Sequence, residues 1–216
     1  MARSRCAGNW KSAAWQAPDF TIDTLTHAVD ALPPTTTGRR DKVILLLGFT
    51  GLFRRDGLVS LDVSHLSVDK GSVLIRLMHS KTNQLGEVEE KAVRRVNGPY
   101  CAVTALEALL TDLPPLVGAG SNPVFCSHQR GKLVTGKRLN AEWVNRVVGN
   151  TLGHSTDGLK FTAHSLRASF VTISKQNGID NRVIVNQTKH RNTVMINRYD
   201  YRCDVLEHNA TDKLGL

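Results

Sequence analysis

The sequence predicts a mainly helical fold that carries one small antiparallel β-hairpin or sheet, an α+β arrangement. Two observations predict it. From Thr21 onward most segments repeat their apolar residues at the three- and four-residue spacing of a helix face. One run, "GSVLIRLMHS", is instead rich in β-branched and aliphatic residues, and a polar turn "KTNQLGE" separates it from a second candidate strand, "VEEKAVRRV". No internal repeat or low-complexity segment interrupts this pattern.

Residues 1–19 lack periodicity and read as a leader or linker remnant, so the expected domain runs over 20–216. The segment "TIDTLTHAVDAL" places Ile22, Leu25, Val29 and Leu32 on one helical face behind a threonine suited to capping, and Pro33 with Pro34 ends it. "RRDKVILLLGFTGL" is apolar enough to be a buried helix. After a glycine break, "RRDGLVSLDVSHL" resumes a shorter helical pattern. Beyond the candidate hairpin, helices are expected in "CAVTALEALLTDL", "RLNAEWVNRVVGNTL", "HSLRASFVTISKQN" and "DNRVIVNQT". Trp143 falls among Val144 and Val147 and is expected to pack in the core.

A chain of 216 residues with 41% hydrophobic residues can bury a core of its own. Its 28 Lys and Arg against 19 Asp and Glu give a net charge of +9, a balance that favours a phosphate-bearing partner. No apolar stretch is long enough to span a bilayer, and the basic N-terminus lacks the apolar core of a signal peptide. Cys6, Cys101, Cys126 and Cys203 show no CxxC or Cys/His spacing, so neither a zinc site nor a disulfide framework is expected, and a reducing, cytoplasmic setting fits. The cationic runs Arg39 to Lys42 and Lys91 to Arg95 are read either as DNA phosphate contacts or as charge on an exposed face.

The candidate chemistry is spread along the chain. "TAHSLRASFVT" sets His164 and Arg167 three residues apart, hence on one helical face. "GLFRRDGL" supplies Arg54 and Arg55, "SKTNQ" supplies Lys81, and "KHRNTVMINRYDY" supplies His190 with Tyr199 and Tyr201. If that last segment is helical from Thr193, Tyr199 shares a face with Met195 and Ile196, and Tyr201 shares one with Val194 and Val205. Both faces have apolar company, so geometry alone does not choose between the two tyrosines.

In this order the residues resemble the tyrosine recombinase and phage integrase family, whose catalytic domain carries an early arginine, a hairpin lysine, an HxxR pair, a later histidine and a C-terminal tyrosine. The resemblance runs from about Thr21 to Leu216 and implies a tyrosine recombinase catalytic-domain-like fold. It matches Arg54, seven residues before Leu61, to the first arginine, and leaves Arg55 facing DNA or solvent. Lys81 matches the hairpin lysine, His164 and Arg167 the HxxR pair, and His190 the second histidine. Tyr199, nine residues beyond His190, matches the nucleophile, which leaves Tyr201 to packing.

The implied activity is site-specific DNA recombination or integration, by strand cleavage and rejoining through a 3′-phosphotyrosyl intermediate. No cofactor and no metal are implied. The implied partners are double-stranded DNA and further copies of the chain in a homotetramer, with a prokaryotic or mobile-element, nucleoid-associated setting. The C-terminal Val205, Leu206, Leu214 and Leu216 either dock on a neighbouring protomer or cover their own core.

Three features depart from the family pattern. Gly57 stands where an acidic residue usually follows the first arginine, with Asp56 beside it. Lys189 stands where a glycine usually precedes the second histidine. The family's usual N-terminal DNA-binding domain is expected to be absent. Two other readings share the fold: a catalytically silent DNA-binding or regulatory module, and a type IB topoisomerase.

Overall fold

A computed structural model describes residues 17–77, 89–113, 122–129 and 132–188. Its first helix, α1 (Ile22–Asp30), starts where expected: the Thr21 side chain accepts a hydrogen bond from the Thr24 backbone N–H at 3.2 Å, and Leu25, Ala28 and Val29 turn inward. The next helix, α2 (Thr36–Thr50), begins three residues before the apolar pattern does, because Thr35 accepts from the Gly38 N–H and caps it. From Val43 to Leu47 no residue of α2 is more than 2% exposed. A helix apolar all round must be enclosed on every side. Helices α4 (Ala102–Asp112), α5 (Ala141–Leu152) and α6 (Ala163–Gln176) accordingly pack against it. Each fully buried leucine or isoleucine in that stretch contributes on the order of 1.5–3 kcal/mol through removal from water.

The short helix α3 (Arg55–Val59) and a 3-10 turn at Val63–His65 lead into a three-stranded antiparallel sheet of β1 (Leu66–Val68), β2 (Ser72–Leu77) and β3 (Glu89–Arg94). The expected hairpin is therefore present, with a third strand at its edge. In β2 the alternate residues Val73, Ile75 and Leu77 are buried, the period-two pattern of a sheet with one face on the core. Its register with β3 pairs Val73 with Val93 and Ile75 with Lys91.

A second antiparallel hairpin, β4 (Cys126–Gln129) with β5 (Lys132–Arg138), was not expected from the sequence, where "RLNAEWV" reads as the start of a helix. Arg138 instead closes β5, and α5 starts at Ala141, capped by Asn140, whose side chain accepts from the Glu142 N–H. The helix α7 (Asn181–Thr188) ends the described chain.

Three sequence expectations need correction. Trp143 is 48% exposed: Val144, Val147, Val148 and Leu152 form the inward face of α5, and the neighbouring Trp143 lies outside it beneath the Arg146 guanidinium, 4.9 Å from the ring centre. The run at Arg39 is not a free cationic face. Arg39 pairs with Asp112, and Arg40 is buried, bonded to the Asp41 carboxylate, the Cys126 carbonyl and His128. In the run at Lys91, that lysine is buried with its ammonium 5.4 Å from the Phe53 ring centre, and Arg95 forks onto Glu107 at 2.6 and 2.9 Å.

Two of these features generate predictions. The Arg40 guanidinium only donates, so His128 Nδ1, 2.7 Å away, must accept and the ring must be neutral. Burial first, and the Arg40 charge second, push His128 down to about 4 from 6.5. Between those values the unfolded chain binds a proton that the folded chain refuses, so stability falls as pH drops through that window. Denaturant unfolding at a series of pH values is expected to show this decline, and His128→Gln, which keeps an acceptor, to flatten it.

The second concerns the approach of α2 to α6, where a Cβ at Gly48 would stand 2.7 Å from Leu166 Cδ1. Gly48→Val is expected to overpack this contact and to cost about 1–3 kcal/mol, read as a lowered Tm.

Candidate active site

The end of α2 sets the geometry of the site. Gly51 closes the helix, its N–H donating to the Leu47 carbonyl at 2.8 Å. A side chain there would meet the Phe53 ring at 2.3 Å, so only glycine lets Phe53 fold back beneath Lys91. Leu52, fully buried, has φ 55°, the left-handed region that costs a non-glycine residue roughly 1–2 kcal/mol. This reversal turns the Leu52 carbonyl toward α6, where the Arg167 guanidinium donates to it through Nη1. Arg54 follows in extended conformation and forms the N-cap of α3.

On the other wall, α6 begins at a turn in which the Thr162 N–H donates to Ser165 Oγ at 3.1 Å. The Ala163 N–H, one of the amides that a helix start leaves without an internal partner, donates to Asn145 Oδ1 of α5 at 3.1 Å. His164 and Arg167 then share one face of α6, as their spacing predicts. The two side chains differ sharply in burial: His164 is exposed, whereas Arg167 is 7% exposed.

These elements enclose a cleft of about 330 Å³ lined by Arg54, Arg55, Asp56, Asn145, Thr162, Ala163, His164 and Arg167. Three guanidiniums face one carboxylate, and the N-terminus of α6 adds its partial positive charge, so the cleft is built for an anion. Arg55 bonds Glu142 of α5 at 2.9 Å and holds the α3 and α5 walls together from outside. Partial burial, then the charge of Arg167 and then that of Arg54, hold His164 below its ordinary value of 6.5. Its imidazole is therefore neutral at neutral pH and able to accept a proton. Among the described residues, no three His, Cys, Asp or Glu side chains gather as they would around a metal ion.

Of the six residues singled out in the sequence, Arg54, His164 and Arg167 meet in this cleft. Lys81, His190 and Tyr199 lie outside the described residues, as does Tyr201. Asp56 is in the cleft, next to Gly57, where a Cβ would meet nothing within 4 Å. Sequence reasoning missed Asn145 and the Leu52 carbonyl. The first had no signal beyond its helical position, and a backbone acceptor has no signal at all.

Comparison with known proteins identifies the family and the fold. Residues 19–203 match the phage integrase family, and the chain belongs to that family. It is 32% identical over 180 residues to an integrase/recombinase xerD homolog of Selenomonas ruminantium, covering 82% of this chain and 52% of that relative. The chain thus spans about half the length of this curated relative.

Among solved structures, the XerA recombinase superposes with a TM-score of 0.66 at 19% identity, over 97% of this chain and 68% of that one. The XerH site-specific recombinase bound to palindromic difH substrate, in a post-cleavage complex, gives 0.65 at 17% identity, over 94% and 55%. The Tn1549 transposon integrase in complex with transposon right end DNA gives 0.62 at 15%, over 95% and 69%. The fold is that of a tyrosine recombinase catalytic domain, mainly helical with small antiparallel sheets.

The electrostatics of the cleft predict the behaviour of its histidine. In NMR titrations of the free protein, His164 is expected to protonate below pH 6.5. Arg54→Gln is expected to move the transition part of the way back up, because burial and Arg167 continue to act. An unmoved transition would show that Arg54 does not face the imidazole.

Proposed function

We propose that this chain is a tyrosine-type site-specific recombinase that cleaves and rejoins DNA strands, as an integrase or resolvase, through a covalent Tyr199–DNA intermediate. The observation that carries this reading is the convergence of Arg54, His164 and Arg167 on one cleft, from segments more than a hundred residues apart in sequence. Family membership supports it and favours it over a topoisomerase.

In the proposed reaction the Tyr199 hydroxyl oxygen attacks the phosphorus of a phosphodiester, and the bond from phosphorus to the 5′ oxygen breaks. Charge develops on the nonbridging oxygens, and two guanidiniums are suited to it because each offers a rigid fork of donors. The Tyr199 phenol has an ordinary pKa near 10, so it needs an acceptor for its proton, and neutral His164 is that acceptor.

The leaving 5′ oxygen takes a proton from Lys81, a contribution of about 10²- to 10⁴-fold for a positioned acid. His190 donates to a phosphate oxygen. A 5′-hydroxyl from a partner strand then attacks the 3′-phosphotyrosyl bond, releases Tyr199 and reseals the strand, so the energy of the original bond is conserved.

The assignment of 20–216 as the catalytic domain belongs to the same reading. So do double-stranded DNA as the substrate and a homotetramer holding two duplexes, with its C-terminal tail docked on a neighbouring copy. The resemblance of the motif residues supports these, together with the net charge of +9.

The reading is tested with a pool of nicked duplexes of randomised sequence, scoring covalent protein–DNA adduct on a denaturing gel. Wild type and Tyr201→Phe are expected to form adduct and Tyr199→Phe to form none. Arg167→Lys is expected to lose about 10²- to 10³-fold in rate, the usual cost of removing a preorganised donor to a developing oxyanion. Adduct formation by Tyr199→Phe would overturn the assignment.

A further inference from the structure

The turn after α2 is held from a second side. α7 packs Ile184 against Val171 of α6, and from the same helix the Gln187 side chain reaches the end of α2. There Gln187 Nε2 donates to the Thr50 carbonyl at 2.9 Å, a contact across 137 residues of sequence. The last carbonyls of a helix have no intrahelical partner, and Thr50 is the final residue of α2. Two residues later the Leu52 carbonyl accepts from Arg167. Thus two alternate carbonyls of one turn are each bonded by a long side chain from the α6 and α7 pair, and Arg54 leaves the same turn two residues further on.

We infer that Gln187 is a positioning residue of the arginine clamp: by fixing the Thr50 carbonyl it holds the turn at which Leu52 meets Arg167, and so sets Arg54 against Arg167. The inference rests on the reading of the cleft as a phosphate clamp. A neutral amide suits the role, because its N–H₂ donates to a carbonyl at every pH. A glutamate in its place presents only acceptors when ionised, and a donor O–H only when protonated.

Two variants of the full chain test this, each with two readouts. The first readout is hydrogen exchange of the Arg167 Nη1 protons, which make the Leu52 contact, by NMR without DNA, and the second is the rate of adduct formation on the nicked-duplex pool. Gln187→Met keeps the volume and removes the donor. It is expected to quicken Arg167 exchange and to slow adduct formation about tenfold, a modest share of what a misplaced catalytic group costs, with Tm little changed. Gln187→Glu is expected to show the same defect at pH 8, where its carboxylate only accepts.

Wild-type exchange and wild-type adduct rate in Gln187→Met overturn the inference. Slow adduct formation with unaltered Arg167 exchange overturns it too, as does wild-type behaviour of Gln187→Glu at pH 8. If wild type forms no adduct while Gln187→Met still loosens Arg167, the strand-cleavage reading falls and the positioning role stands.

Discussion

Everything at the cleft depends on one backbone acceptor, the Leu52 carbonyl. Arg167 is almost wholly buried, and a buried cation must be matched by groups that accept its hydrogen bonds. A leucine in left-handed conformation supplies one, and the surroundings make that conformation tenable. Gly51 leaves room for Phe53 to fold back, Phe53 lies under the Lys91 ammonium, and Gly48 lets Leu166 of α6 come close enough for its neighbour Arg167 to reach. Each of these supports favours the meeting of the carbonyl and the guanidinium. The strain at Leu52 is of the kind that persists at functional sites because the rest of the fold over-determines it.

The same arrangement governs the charge state of the site. Because the guanidinium of Arg167 is fixed, its positive charge acts on His164 at all times, and Arg54 adds to it. The cleft is therefore strongly cationic while its histidine stays uncharged. An approaching anion is attracted by fixed charges that need no proton to exist, and the imidazole keeps its lone pair for chemistry. Division of labour between permanent and titrating groups follows from burying one partner of the HxxR pair and exposing the other.

Much of the fold was legible in the sequence because it is written in periodicity. The caps of α1, the apolar density of α2, the alternation in β2 and the one-face spacing of His164 and Arg167 all follow from local geometry. What escaped is what depends on distant partners. Arg40 reads as one more surface cation, yet Asp41, Cys126 and His128 receive it in the interior. Trp143 sits one residue from the inward face of α5, a rotation that apolar spacing alone does not fix. The β4 and β5 hairpin hides in a stretch with little alternation, where Arg138 serves by bonding the Val59 and Leu61 carbonyls and the Asp62 carboxylate. For the site, motif order found the side chains Arg54, His164 and Arg167. It had no means of finding the carbonyls of Thr50 and Leu52, since every residue carries one.

The contact between Leu52 and Arg167 joins positions 115 residues apart. A chain with α6 not yet docked has its arginines scattered and its histidine relieved of their field. It carries the same net charge as the finished protein and can cling to a polyanion, but without a focused cleft. The cleft thus exists only with complete tertiary structure. For the proposed strand-cleaving reaction, assembly of the fold is itself the safety catch.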